Sequence, residues 1–148
     1  MGSFQKDVKL GEKAQDIIAQ KLREEFPTIK SIKGRPYEYD LCTNDGYTIE
    51  VKFDIKSRLT GNVGIEYRYK TKPSGIARTH AMEWIHIYYL NDTLVYSRAS
   101  VGSLRAYIKS NWEFLDKKDG GDNNNSKMVL ITVEDFSTVF DFSPLEKN

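Results

Sequence analysis

Asp40, Glu50 and Lys52 are the residues of this chain whose types and spacing suit chemistry. Residues 37–42 and 48–53 each read as strands, with Ile49, Val51 and Phe53 on one side and Glu50 and Lys52 on the other. Asn44-Asp45-Gly46 between them is a hairpin signal. In a three-residue loop, Asn44 and Asp45 form a type I turn and Gly46 supplies the left-handed residue. Thr43 then pairs with Tyr47, and by counting outward Asp40 falls opposite Glu50, with Cβ atoms about 5 Å apart. A two-residue Asp45-Gly46 loop would set Asp40 against Val51, on the wrong face. Two carboxylates about 4 Å apart repel by roughly 4 kcal/mol at an effective dielectric near 20. Lys52 offsets part of that, and a hard cation such as Mg²⁺ offsets more, keeping water or phosphate oxygens in its other positions. A solvated polar hairpin face uses the same residue types, so the surrounding sequence has to separate the two readings.

The surroundings are basic. Between residues 55 and 82, six cations (Lys56, Arg58, Arg68, Lys70, Lys72 and Arg78) face a single acid, Glu66, a local excess of five in a chain whose net charge is +1. The rest of the chain is therefore net acidic. Positive charge focused beside two acids attracts and steers a polyanion, whereas a solvated basic loop is the bland alternative. Ser74 and the amides after it, in the polar turn of residues 72–79, suit a phosphate or an ordinary capped turn. Glu66 is placed to join Glu50 and Lys52, or to pair with Arg68 or Lys52.

The elements that must position these groups follow from periodicity. Residues 1–9 are polar and expected to fray. Leu10, Ala14, Ile17, Ile18, Leu22 and Phe26 then mark an amphipathic helix that Pro27 stops. Glu12 lies off that stripe, in the first turn, where the helix dipole favours an acid. Residues 28–33 suggest a short strand, and Gly34-Arg35-Pro36 a break. Residues 63–69 alternate as the next strand of the same sheet. Residues 83–90 are apolar on both faces, as in a central strand, which makes His86 a satisfied core histidine. Asn91-Asp92 turns the chain into a strand over residues 93–97. Ser100 caps a helix with the stripe Val101, Leu104, Ile108, Trp112 and Leu115. Residues 118–126 have little to bury and read as a mobile loop. Residues 128–133 form a last strand, and Phe136, Val139 and Phe140 close the core.

At 148 residues, with 39% hydrophobic and 29% charged, the chain reads as one soluble domain spanning residues 1–148. No apolar run is long enough for a bilayer, so no membrane partner is expected. One cysteine, Cys42, excludes an intramolecular disulfide, and two histidines argue against a Cys/His zinc site. A reducing, cytoplasmic setting is expected.

Asp40 followed by Glu50-Val51-Lys52 on a hairpin resembles the PD-(D/E)xK nuclease superfamily, which includes restriction enzymes and archaeal Holliday junction resolvases. Tyr39 stands where the motif usually has its proline. Gly61-Asn62, Ile65-Glu66, Ser74-Gly75-Ile76 and Thr79 are similar to a pattern of phage-encoded members. The resemblance implies an α/β, restriction-endonuclease-like fold: a mixed central sheet flanked by helices. It implies a metal site of Asp40 and Glu50, with the Val51 carbonyl and Glu12 added, and Lys52 beside them. Mg²⁺ is the implied cofactor, with Mn²⁺ as a substitute. Lys56, Arg58, Asn62, Glu66, Lys70, Lys72, Ser74 and Arg78 are the implied DNA-binding residues. The implied activity is hydrolysis of branched DNA such as a Holliday junction, by a homodimer. A nuclease for ordinary duplex, an exonuclease and a non-catalytic DNA-binding protein are the alternatives.

Overall fold

The computed structural model describes residues 3–32 and 40–146. Tyr37, Glu38 and Tyr39 of the expected hairpin, the Gly34-Arg35-Pro36 break, Lys33 and the first two residues lie outside them. In chain order the elements are α1 (Ser3–Lys21), β1 (Lys30–Ser31), β2 (Leu41–Cys42), β3 (Thr48–Phe53), α2 (Ser57–Thr60), β4 (Asn62–Tyr69) and β5 (Lys72–Pro73). Then come β6 (Glu83–Leu90), β7 (Thr93–Ser100), α3 (Val101–Ser110), β8 (Asp116–Gly120), β9 (Ser126–Thr132), α4 (Val133–Val139) and β10 (Phe142–Pro144).

The fold is mixed α/β. A six-stranded sheet runs β1-β2-β3-β6-β7-β10. Its β3–β6 pair is parallel and its other pairs antiparallel. A second sheet of four strands runs β5-β4-β9-β8 and is antiparallel throughout. β4 therefore does not continue the hairpin's own sheet, as its alternation suggested. Alternation fixes which face a side chain takes, and partner choice depends on the rest of the chain.

Each face of the larger sheet has its own core. Ile49, Val51, Ile85 and Ile87 pack under Ala14, Ile18 and Leu22 of α1. Trp84, Tyr88, Val95 and Ala99 on the opposite face pack against Val63, Ile65, Val129 and Ile131 of the second sheet, with α3 and α4 closing over them. Each fully buried aliphatic or aromatic side chain stabilises by about 1.5–3 kcal/mol relative to exposure. Glu50 and Lys52, alternating with Ile49 and Val51, are thus turned away from α1 and toward the second sheet's side.

Several elements depart from the expectation. Helix α1 begins at Ser3, because residues 3–9 contain neither Gly nor Pro and a docked helix propagates through polar sequence. α3 ends at Ser110; Trp112 falls in the following turn, 39% exposed and edge-on to Tyr67. The expected loop over residues 118–126 is largely strand and turn: β8 pairs with β9 from Asp116↔Leu130 to Gly120↔Ser126, and Gly121, Asn123 and Asn124 take left-handed conformations between them. Val139 is exposed, while Phe136 and Phe140 are buried. No helix among the described residues is long and apolar enough to cross a membrane.

One buried ion pair ties the hairpin to β6 and β7. Glu83 is only 4% exposed. Arg98 donates to it through Nε at 2.5 Å and Nη2 at 3.1 Å, and to Glu25 at 2.9 and 3.2 Å. The Tyr47 hydroxyl donates to Glu83 at 2.5 Å. Burial and the Glu83 hydrogen bond push the Tyr47 phenol up, and the Arg98 hydrogen bond holds the Glu25 carboxyl below its ordinary value. Replacing Arg98 with Met strands a buried carboxylate and is expected to cost about 3 kcal/mol in urea unfolding. A loss below about 1 kcal/mol would show that Glu83 does not depend on that cation.

Candidate metal and nucleic-acid site

The hairpin adopts the three-residue loop. Gly46 has φ +92°, Thr43 N–H donates to Tyr47 O at 2.9 Å, and Gly46 N–H donates to Thr43 O at 3.1 Å. Leu41 pairs with Ile49 and Cys42 with Thr48, so the next step outward sets Asp40 against Glu50. Phe26 stacks on Tyr47 at 4.8 Å and pins the hairpin to the chain leaving α1. β2 starts only at Leu41, and Asp40 Oδ2 takes the Val51 N–H at 2.8 Å. The Val51 carbonyl lies on that same strand edge, because a residue's N–H and C=O point the same way in a strand.

Glu50 is 5% exposed. Its Oε1 lies 3.4 Å from Lys52 Nζ, and its Oε2 is buried with no hydrogen-bond partner. Burial pushes the Glu50 carboxyl up to about 7; the Lys52 charge opposes this, and the neighbouring Asp40 charge adds to it. Lys52 is half exposed, with Nζ 5.8 Å from the Trp84 ring centre.

Glu50 and Lys52 open into a cleft of about 190 Å³ shared with Glu66, Ser74, Gly75, Arg78 and Thr79. Among the described residues, the Ser74 hydroxyl is the other buried side-chain oxygen without a partner. Two oxygens with no partner on one small cleft mark a place where a ligand's polar atoms would be satisfied. The wall carrying Ser74 is fixed by contact with β4. Gly75 has φ +50°, and a Cβ there would sit 2.2 Å from the Glu66 carbonyl oxygen, so no larger residue fits. Arg105 of α3 braces the same turn by donating to Ile76 O at 2.8 Å and Thr79 O at 3.0 Å. The amides of Ser74, Ala77, Arg78 and Thr79 are spent on Tyr67 O, Ser74 O and Gly75 O.

The remaining expected residues are spread more widely. Glu12 is exposed on α1, and no group of three His, Cys, Asp or Glu side chains placed to hold a metal forms among the described residues. The structure therefore brings Asp40 and Glu50 together without adding Glu12 to them. Arg58 pairs with Asp92 at 3.3 Å and lies 5.3 Å from the Tyr89 ring. Lys70 and Lys72 stand exposed around the β4–β5 turn. Lys56 and Asn62 line a separate cavity of about 110 Å³ together with Asp54, Gly64 and Lys118.

Asp54 escaped the sequence reading, since nothing local distinguishes it from a polar strand end. Its Oδ2 accepts the Gly64 N–H at 2.8 Å and meets His86 Nε2 at 3.0 Å. The Trp84 indole N–H, a donor only, reaches His86 Nδ1 at 3.1 Å. His86 must accept there, so it is the neutral Nε2–H tautomer donating to Asp54. Burial raises the Asp54 carboxyl, but the His86 hydrogen bond, with the Gly64 and Ser57 amides, outweighs it and holds Asp54 below its ordinary value. His86 is 1% exposed and hydrogen-bonded on both ring nitrogens.

Comparison with protein-family models found no match, and comparison with curated protein sequences found no significant match.

Proposed function

We propose that this chain is a Mg²⁺-dependent DNA endonuclease of the restriction-endonuclease-like class, cutting branched DNA such as a four-way junction as a homodimer. The observation that carries this reading is the buried Glu50 Oε2, without a partner, beside Asp40 and Lys52 on a cleft open to solvent. The donor set fits a hard cation. Asp40 and Glu50 offer carboxylate oxygens, the Val51 carbonyl lies on the adjacent strand edge, and Mg²⁺ needs only one or two carboxylates. Mg²⁺ or Mn²⁺ held there would lower the pKa of a bound water and neutralise charge growing on the scissile phosphate.

The chain's own groups do the rest. Lys52, anchored to Glu50, is placed to orient the attacking water or to stabilise charge on the phosphoryl group. Ser74 and Arg78 face the same cleft and suit a phosphate oxygen. Lys56, Arg58, Lys70 and Lys72 contribute affinity for the DNA backbone without reading sequence. The test is nicking of a synthetic four-way junction against a linear duplex of the same arms, with and without Mg²⁺. Cutting of the junction only with Mg²⁺ is the expected result. Preference for the linear duplex would move the reading to a restriction, repair or exonuclease type. Binding with no cleavage in any divalent cation would leave a non-catalytic DNA-binding protein.

A further inference from the structure

The cleft at Glu50 does not end at Lys52. Lys52 and Glu66 also line a larger cavity of about 340 Å³, and that cavity shares Asp54, Lys56, Gly64 and Met128 with a third of about 110 Å³ reaching Asn62 and Lys118. Together they form one channel, walled by β3 and β6 on one side and by β4, β8 and β9 on the other. Cross-strand pairing explains the second wall: Glu66 is opposite Met128, and Met128 opposite Lys118, so all three share a face. Cations recur along the channel, from Arg78 through Lys52 and Lys56 to Lys118. Between them the middle cavity mixes apolar and charged lining, with Ile55, Trp84 and Met128 beside Lys52, Lys56, Asp54 and Glu66.

We infer that this channel takes one unpaired strand of DNA rather than a duplex, with Lys56 and Lys118 on phosphates beyond the point of cleavage and the Ile55–Met128 wall against a base. The inference rests on the nuclease reading for where cleavage occurs, and on geometry for everything else. Cavities of roughly 300–1,000 Å³ hold a ligand the size of a nucleotide, whereas a B-form duplex, whose major groove alone is about 12 Å wide, can touch only the rim. A basic track interleaved with apolar and aromatic surface is the usual arrangement for single strands. The larger cavity and the one reaching Lys118 adjoin at Gly64, where the Met128 side chain fills the space a Cβ would need, its Cε 2.9 Å from that position.

The experiment is fluorescence anisotropy in Ca²⁺ with one labelled oligonucleotide, presented as a single strand, as a splayed arm and as a blunt duplex. The single strand and the splayed arm are expected to bind at least about tenfold more tightly than the duplex. Lys118→Ala and Lys56→Ala should each weaken single-strand binding and reduce its salt slope by about 0.7. Lys109→Ala, on the exposed end of α3, should change neither. Gly64→Val should weaken single-strand binding by driving the Met128 side chain into the channel; should that variant unfold, the two lysine variants decide. Equal or tighter binding of the duplex, or an unchanged salt slope in Lys118→Ala, overturns the inference. The two readings fail separately. Absence of Mg²⁺-dependent cleavage on every substrate sinks the nuclease while the order of binding still judges the channel. Rapid cutting of blunt duplex with Lys118→Ala silent sinks the channel and keeps the nuclease.

Discussion

Asp40→Asn and Lys52→Met are each expected to lower Mg²⁺-dependent nicking by at least about 10²-fold while leaving DNA binding in Ca²⁺ intact. The two changes remove different things at little structural cost. Asp40 Oδ2 accepts the Val51 N–H at 2.8 Å, and the amide oxygen of Asn can keep that bond, so the hairpin edge survives while the charge is lost. Lys52 has 45% of its side chain exposed, and Met retains its apolar stem near Trp84. Unchanged unfolding midpoints beside lost cleavage would assign both residues to chemistry. Wild-type nicking rates in either variant would sink the proposed site. Loss of binding together with cleavage would mean that these groups hold DNA rather than act on it.

Glu50→Gln is expected to stabilise the metal-free protein at alkaline pH while abolishing cleavage. In the folded chain the Glu50 carboxyl titrates at about 7, against about 4.3 for an unperturbed Glu. The fold therefore holds a proton that the unfolded chain releases between those values. This contribution to stability is fully present below about pH 4 and is lost as pH rises through about 7. The loss is on the order of 3 kcal/mol, with burial as its main cause. Melting in EDTA should accordingly show the variant and wild type close together near pH 5 and separated by several degrees at pH 8. Added Mg²⁺ should raise the wild-type midpoint at pH 8 and leave Glu50→Gln nearly unmoved. Parallel curves across the whole range would show that Glu50 stays ionised in the fold.

The near wall of the site was legible in the sequence because it is local. Asn44-Asp45-Gly46 sets the loop, the loop sets the register, and the register sets Asp40 against Glu50. The Ser100 cap was legible for the same reason: its side chain accepts the Ser103 N–H at 3.0 Å. The far wall was not legible. The alternation of residues 63–69 marks a strand, but nothing in it says that its partner is β9 rather than β3. Strand β8, Asp-Lys-Lys-Asp-Gly, carries no apolar alternation and takes its pairing entirely from β9, so Lys118 could not be placed. Arg105 reads as one more surface cation on a helix until the carbonyls of Ile76 and Thr79 are seen beneath it.

The parallel pairing of β3 with β6 has a consequence for how the charges come to be neighbours. Two strands running the same way cannot be joined by a tight turn, so the chain leaving Phe53 must travel across the sheet before it can re-enter at Glu83. That obligatory excursion is the cation-rich segment itself, and its departure point is one residue past Lys52. The parallel pairing thus obliges the cation-rich stretch to cross the sheet beside the acids, and a rearranged chain that opened this crossover would keep every charged residue yet lose their juxtaposition.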